Sequence, residues 1–176
     1  MANKREITIP EPFLHAPFAL NMPPKITEIA DSFEENMIHC TFYYDICECL
    51  SIKSCQKPWN EYENYLPYIL KRWSLLEEVL HDLYKDRKQK SQEIPMIEGF
   101  SLFIVGIHWF NSQPVKSLEQ SVLNDLRFSK SPVNFSERVA FILNKPAQYH
   151  SYIQLKQLFE EFKKQFHKEL VMKKLK

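Results

Sequence analysis

The chain has 176 residues, 44% of them apolar and 14% aromatic, and carries a formal net charge of +1. That length and apolar content suit one domain with a single core and exclude a disordered chain. Gly99 and Gly106 are the only glycines, where average composition would place about twelve, so phosphate-cradling loops, dinucleotide fingerprints and nucleophile elbows are excluded.

Met1 to Ile9 carry Lys4 and Arg5 but lead into Pro10 and Pro12 rather than an apolar signal core. Pro10, Pro12, Pro17, Pro23 and Pro24 then space out Phe13, Leu14, Phe18 and Leu20. Alternating prolines and rings suit an extended segment that lies across helices and inserts its side chains. Residues 1–24 are therefore expected to be a docked N-terminal arm, and residues 25–176 a single all-α domain.

The first helix is expected from Lys25 to Ser51, with Ile26, Ala30, Phe33, Met37, Cys40, Tyr44 and Cys47 on one face. Lys57 and Pro58 close the connection. A second stripe follows at Tyr62, Leu66, Ile69, Trp73, Leu76, Leu80 and Leu83, in a segment ending near Lys90. Pro67 inside that stripe predicts a kink there, or a short helix followed by a longer one. Asp86 to Glu93 reads as a solvated linker. From about Pro95 to Asn111 the chain is apolar on nearly every side, which predicts a wholly enclosed central helix. Its apolar run, Leu102 to Phe110, is interrupted by Gly106 and His108, and no transmembrane segment is expected.

Gln113 and Pro114 begin a further amphipathic segment with Val115, Leu118, Val122 and Leu126 on one side. Asn134 with Glu137 resembles a capping box opening a short helix through Leu143, and Ser151 with Gln154 offers another for the last long helix. That helix carries Tyr152, Leu155, Phe159, Phe162, Phe166 and Leu170 inside and lysines mostly outside. The whole predicts a compact all-α domain of six or seven helices with a proline- and aromatic-rich arm.

Charge is unevenly placed: residues 28–98 hold 14 acidic and 8 basic side chains, and residues 99–176 hold 6 acidic and 12 basic. A basic half can attract nucleic acid, although helical proteins often carry such asymmetry as a solvated face. Cys40, Cys47, Cys49 and Cys55 lack the C-x₂-C spacing of zinc ribbons or redox motifs, and free thiols fit a cytoplasmic chain. On one helix Cys40 and Cys47 share a face while His39 and Cys49 diverge, so no metal site and no cofactor is expected.

The stretch PVNFSERVAFILNKPAQYHSYIQLKQL from Pro132 to Leu158, with HWFNSQPV at His108 to Val115 and EPFLHAPF at Glu11 to Phe18, resembles the YpoC-like family of Bacillus and related Gram-positive bacteria. The resemblance covers most of the chain. It implies a small, soluble, helical bacterial protein whose genes lie beside those for DNA replication, DNA repair and cell-wall synthesis. It carries over no catalytic residue.

No catalytic constellation is visible, and the sequence favours a non-enzymatic interaction protein acting on another protein. His108, Asn111, Arg138, Tyr149 and His150 are the candidate functional surface, drawn from helix ends. Arg138 near a helix N-terminus opposes the dipole and calls for a carboxylate or an anion. Two alternatives stand beside that reading. One is non-specific nucleic-acid binding through Lys163, Lys164 and Lys168 of the basic last helix. The other is hydrolysis using His108 or His150, which requires a solvent-reachable pocket shared with a carboxylate.

Overall fold

The computed structural model describes residues 6–27, 32–53, 55–86 and 91–176. Among them it contains seven α-helices: α1 (Phe33–His39), α2 (Tyr43–Cys49), α3 (Tyr62–Lys85), α4 (Glu93–Phe110), α5 (Gln120–Asn124), α6 (Phe135–Asn144) and α7 (Tyr149–Lys174). A short antiparallel ribbon joins β1 (Glu6–Thr8) to β2 (Lys25–Thr27), with Ile7 opposite Ile26. The chain is predominantly helical and forms one domain.

Helix α4 is the axis of the core. Fourteen of its residues are buried, from Met96 to Phe110 with the exception of Glu98, because α3, α7 and the arm each pack against it. It is long and apolar enough to span a bilayer, but most of its surface is spent on neighbouring helices. Both glycines lie on α4, two turns apart, where it meets α3 and α7. A Cβ on Gly99 would stand 2.7 Å from Trp73 Cζ3, and one on Gly106 would stand 3.0 Å from Phe162 Cε1 and 3.2 Å from Ile69 Cγ2. The scarce glycine is therefore used for close helix packing. Helix ends turn without it: Ser51 after α2 and Ser112 after α4 both adopt left-handed backbone, with φ of 56° and 57°.

Residues 6–27 lie against the helices. Phe18 stacks on Phe100 of α4 at 5.3 Å and meets Phe42 edge-on at 5.8 Å, while Phe13 packs tilted against Phe42 at 6.1 Å. Pro12 O accepts from Leu118 N at 2.8 Å, and the Ala16–Pro17 peptide is cis. Leu14 and Leu20 remain exposed.

Several local expectations need correction. The single helix over 25–51 does not form: Lys25–Thr27 is strand, and α1 and α2 are separated by Cys40, whose backbone is extended at φ −154° and ψ 114°. The break turns Phe42 toward Phe13 and Phe18. Cys40, Tyr44 and Cys47 are buried although the helix is broken between them, so the apolar spacing does not reveal the break. Ala30 lies outside the described residues, as do Lys4, Arg5 and residues 87–90, half of the expected linker. Ser32 caps α1 by accepting from Glu35 N at 3.4 Å, a signal the spacing Ser-x-x-Glu already contains.

Helix α3 runs unbroken through Pro67, which faces solvent. The segment after Gln113 is extended as far as Glu119, leaving α5 short, because its amides are claimed elsewhere, Val115 N by Asp45 and Leu118 N by Pro12. Neither capping box forms. Asn134 sits in left-handed conformation at φ 55° with no side-chain cap bond, and α7 begins two residues before Ser151, whose hydroxyl donates to Lys145 O at 2.6 Å instead.

Candidate functional site

Helix α7 serves as a ruler for the candidate residues, since it contacts α3, α4 and α6 along its length. His108 and Asn111 lie at the C-terminal end of α4, where Phe110 meets Phe162 and Phe166. Arg138 on α6 reaches the middle of α7. Tyr149 and His150 start α7, which places them roughly 24 Å along the helix from Phe166 at 1.5 Å per residue. The structure therefore keeps Tyr149 and His150 together and apart from His108 and Asn111.

Each residue has a definable environment. The His108 ring is 4% exposed, with Nδ1–H donating to Ile104 O at 2.7 Å and its edge against Phe128. Burial holds its pKa down at about 4, so it stays neutral, and no carboxylate touches it among the described residues. The partner of Arg138 is a carboxylate: Nη1 donates to Glu161 Oε1 at 2.8 Å and to Val133 O at 3.1 Å, and Nε donates to Gln154 Oε1 at 2.9 Å. Gln154 is thereby committed to tying α6 to α7. His150 is exposed beside Tyr149.

Asn111 has a positioning role. Its Nδ2 donates to Ile107 O and Lys130 O, both at 2.8 Å, and its Oδ1 accepts from Lys130 N at 3.1 Å. The backbone of Lys130 is thus clamped to the end of α4. Its ammonium lies 4.4 Å from the Phe110 ring centroid and 4.6 Å from that of Tyr62, and pairs with Glu169 at 3.2 Å. Tyr62 donates to Glu169 and accepts from Lys173, which also pairs with Glu63.

Around this clamp is a groove of about 450 Å³. Its apolar lining is Phe110 and Met172, and its ammonium groups are those of Lys130, Lys168, Lys173 and Lys176. Glu169 is the one carboxylate side chain among the described residues lining it. Lys168 and Lys173 lie on the last turns of α7 and Lys176 just beyond its end, so their nearness to one another follows from their closeness in the chain. Lys130 comes from a loop 38 positions earlier than Lys168 and is held by Asn111 through its backbone and by Glu169 through its ammonium, so the spacing carries no sign of it.

A second concavity, of about 820 Å³, lies between the C-terminal part of α3 and the start of α7. Tyr84, Tyr149 and Tyr152 line it together with His81, Lys85 and Lys156. Tyr149, a candidate from the sequence, belongs here.

Asp45 on α2 escaped sequence reasoning because it interrupts no apolar stripe. Its carboxyl is fully buried, and Oδ1 accepts from Trp109 Nε1 at 3.1 Å and from Val115 N at 2.7 Å. Oδ2 has no hydrogen-bond partner among the described residues. Burial pushes its pKa up to about 7. The bonds staple α2 and the extended 113–119 segment to α4. Cys40 and Cys47 are buried, Cys49 is exposed and Cys55 half-buried, and among the described residues no three potential metal-ligating side chains cluster.

The family described as YpoC-like protein matches residues 63–174, a span that takes in the second concavity, most of the lysine groove and nearly all of α3 to α7. The chain is 35% identical over 126 residues to Uncharacterized protein YpoC of Bacillus subtilis strain 168, which covers 72% of this chain and 75% of that protein. No solved structure matches. With a family match over most of the helical core and a relative aligned along nearly three quarters of the sequence, the chain belongs to the YpoC-like family.

Proposed function

We propose that this chain is a non-enzymatic interaction protein of the bacterial cytoplasm whose working surface is the groove at the C-terminal end of α7, and that it docks an acidic segment of a partner protein. The observation that carries this reading is the lining of the groove: four ammonium groups around Phe110 and Met172, with one carboxylate. Such a lining matches a segment in which acidic and apolar side chains alternate. Lys168 and Lys176 have no ion-pair partner among the described residues, so their charge is available to a ligand. The hydrolase alternative draws no support from the geometry, because His108 is enclosed away from carboxylates and His150 stands far from it.

The test is a calorimetric titration of the full chain with a glutamate–leucine peptide and a lysine–leucine peptide of equal length. The acidic peptide binds, the basic one does not, and Lys168→Glu with Lys176→Glu weakens binding about tenfold or more. Equal binding of the two peptides, or an affinity unchanged in the double variant, overturns the proposal.

A second reading has its own observation. Lys163, Lys164 and Lys168 are exposed on α7 and are without ion-pair partners among the described residues. They would contact phosphates without reading bases. Duplex binding that falls steeply with salt and weakens when the three are neutralised supports it, and a flat salt dependence removes it.

A further inference from the structure

We propose that the tyrosine-walled concavity between α3 and α7 binds a small planar aromatic anion of the mononucleotide class. The inference concerns a different site from the lysine groove and does not depend on it.

The volume comes first. About 820 Å³ lies within the range of pockets that enclose one small molecule. The wall is aromatic and already ordered. Tyr84 and Tyr152 stack at 5.0 Å with an interplanar angle of 14°, and Tyr149 meets Tyr84 edge-on at 5.7 Å. Tyr84 is anchored because its hydroxyl donates to Ala147 O at 2.7 Å. Tyr149 nevertheless remains 54% exposed. A large ring left half in water at the edge of a cavity offers a stacking face for a planar ligand.

Charge then selects among planar ligands. His81, Lys85 and Lys156 line the cavity, and among the described residues no carboxylate does. Lys156 is held by Glu77 at 2.9 Å, and Glu77 is outside the lining. Lys85 is exposed and has no ion-pair partner among the described residues. The 26-residue α7 begins at this cavity with no side-chain cap from Gln148, so the positive end of its dipole reinforces the lysines. A neutral aromatic compound would leave Lys85 unmatched, and a compact anion without a ring would leave the tyrosines unused. A base joined to a phosphate uses both.

The experiment titrates the full chain with adenosine monophosphate, adenosine, inorganic phosphate and a single-stranded oligoadenylate, read by calorimetry and by tyrosine fluorescence. Adenosine monophosphate is expected to saturate, with adenosine and phosphate each weaker by about fivefold or more. Tyr149→Ala and Lys85→Ala are expected to weaken it by a similar factor. Lys85 is exposed, so the thermal melt of Lys85→Ala should match the parent, while Tyr149→Ala gives up its ring contacts with Tyr84 and Tyr152 and should still melt cooperatively. Lys168→Glu with Lys176→Glu leaves this affinity unchanged, which separates the site from the groove. The proposal is overturned if adenosine binds as well as its monophosphate, if neither Tyr149→Ala nor Lys85→Ala alters the affinity, or if saturation is absent up to about 5 mM. An affinity that climbs with oligoadenylate length assigns the surface to nucleic acid and equally overturns it.

Discussion

Trp73 Cζ3 lies 2.7 Å from the place a Cβ on Gly99 would occupy. The indole is also held by Phe159, on which it stacks at 4.2 Å with a 7° interplanar angle. An alanine here gains about 1 kcal/mol of helix propensity but overpacks a rigid contact, which costs about 1–3 kcal/mol. Gly99→Ala is therefore expected to lower stability by about 1 kcal/mol net and to disturb tryptophan fluorescence. The loss at Gly106→Ala should be smaller, because its tightest contact is 3.0 Å from a ring edge of Phe162. Urea midpoints measure both, and a rise in the midpoint of Gly99→Ala would contradict the packing argument.

The opposite substitution should help at the helix ends. Ser51 and Ser112 hold left-handed backbone at exposed positions, a conformation that disfavours L side chains by roughly 1 kcal/mol. Their amides already make the closing bonds of a helix terminus, Ser112 N to Trp109 O and Gln113 N to His108 O after α4. Ser51→Gly and Ser112→Gly are expected to add about 1 kcal/mol each. The check is a higher urea midpoint with an unchanged slope.

Two buried groups give the stability a concealed pH dependence. His108 ordinarily titrates at 6.5 and in the fold is held at about 4, so the stability it supports above 6.5 is lost as pH falls toward 4. Asp45 ordinarily titrates at 3.8 and is pushed up to about 7, so the stability present below 3.8 is lost as pH rises to 7. Across pH 4 to 7 the two slopes oppose one another. Each tenfold change in proton affinity is about 1.4 kcal/mol, making the His108 limb roughly 3 kcal/mol and the Asp45 limb roughly 4 kcal/mol. Asp45→Asn should leave stability rising with pH through this window, and His108→Gln should leave it falling. Denaturation at four pH values across the range reads the sign, and parallel profiles for the two variants would refute the assignment.

Arg138 is a clamp between α6 and α7, with Glu161, Gln154 and Val133 O as its acceptors. Arg138→Met keeps the aliphatic stem and removes three bonds at a largely covered guanidinium. The expected loss is about 1–2 kcal/mol, less for Glu161→Gln, which retains an acceptor. Thermal unfolding of both variants provides the comparison, and a change below about 0.5 kcal/mol at Arg138 would reduce it to an ordinary surface ion pair.

The regular spacing of apolar residues along α3 and α7, and the unbroken apolar composition of α4, follow from one physical fact: a helix must bury whatever face it makes oily, and sequence order alone records that face. The predominance of helix was accordingly legible from the residues. So was the carboxylate demanded by Arg138, because a cation near a helix N-terminus needs an anion wherever that anion comes from.

What the tertiary structure decided are the relationships between elements distant in the chain. Cys40 fits the apolar stripe of a continuous helix, yet its backbone is extended and ends α1, and the residues after it carry Phe42 against Phe13 and Phe18. Asn134 and Glu137 have the spacing of a capping box, yet left-handed backbone at Asn134 replaces that geometry. Lys130 enters the lysine groove because Asn111 grips its backbone, and Tyr84 meets Tyr149 because α3 and α7 run side by side. Local pattern sets which surfaces must be covered, whereas which partner covers them depends on a packing that only the whole chain can satisfy at once.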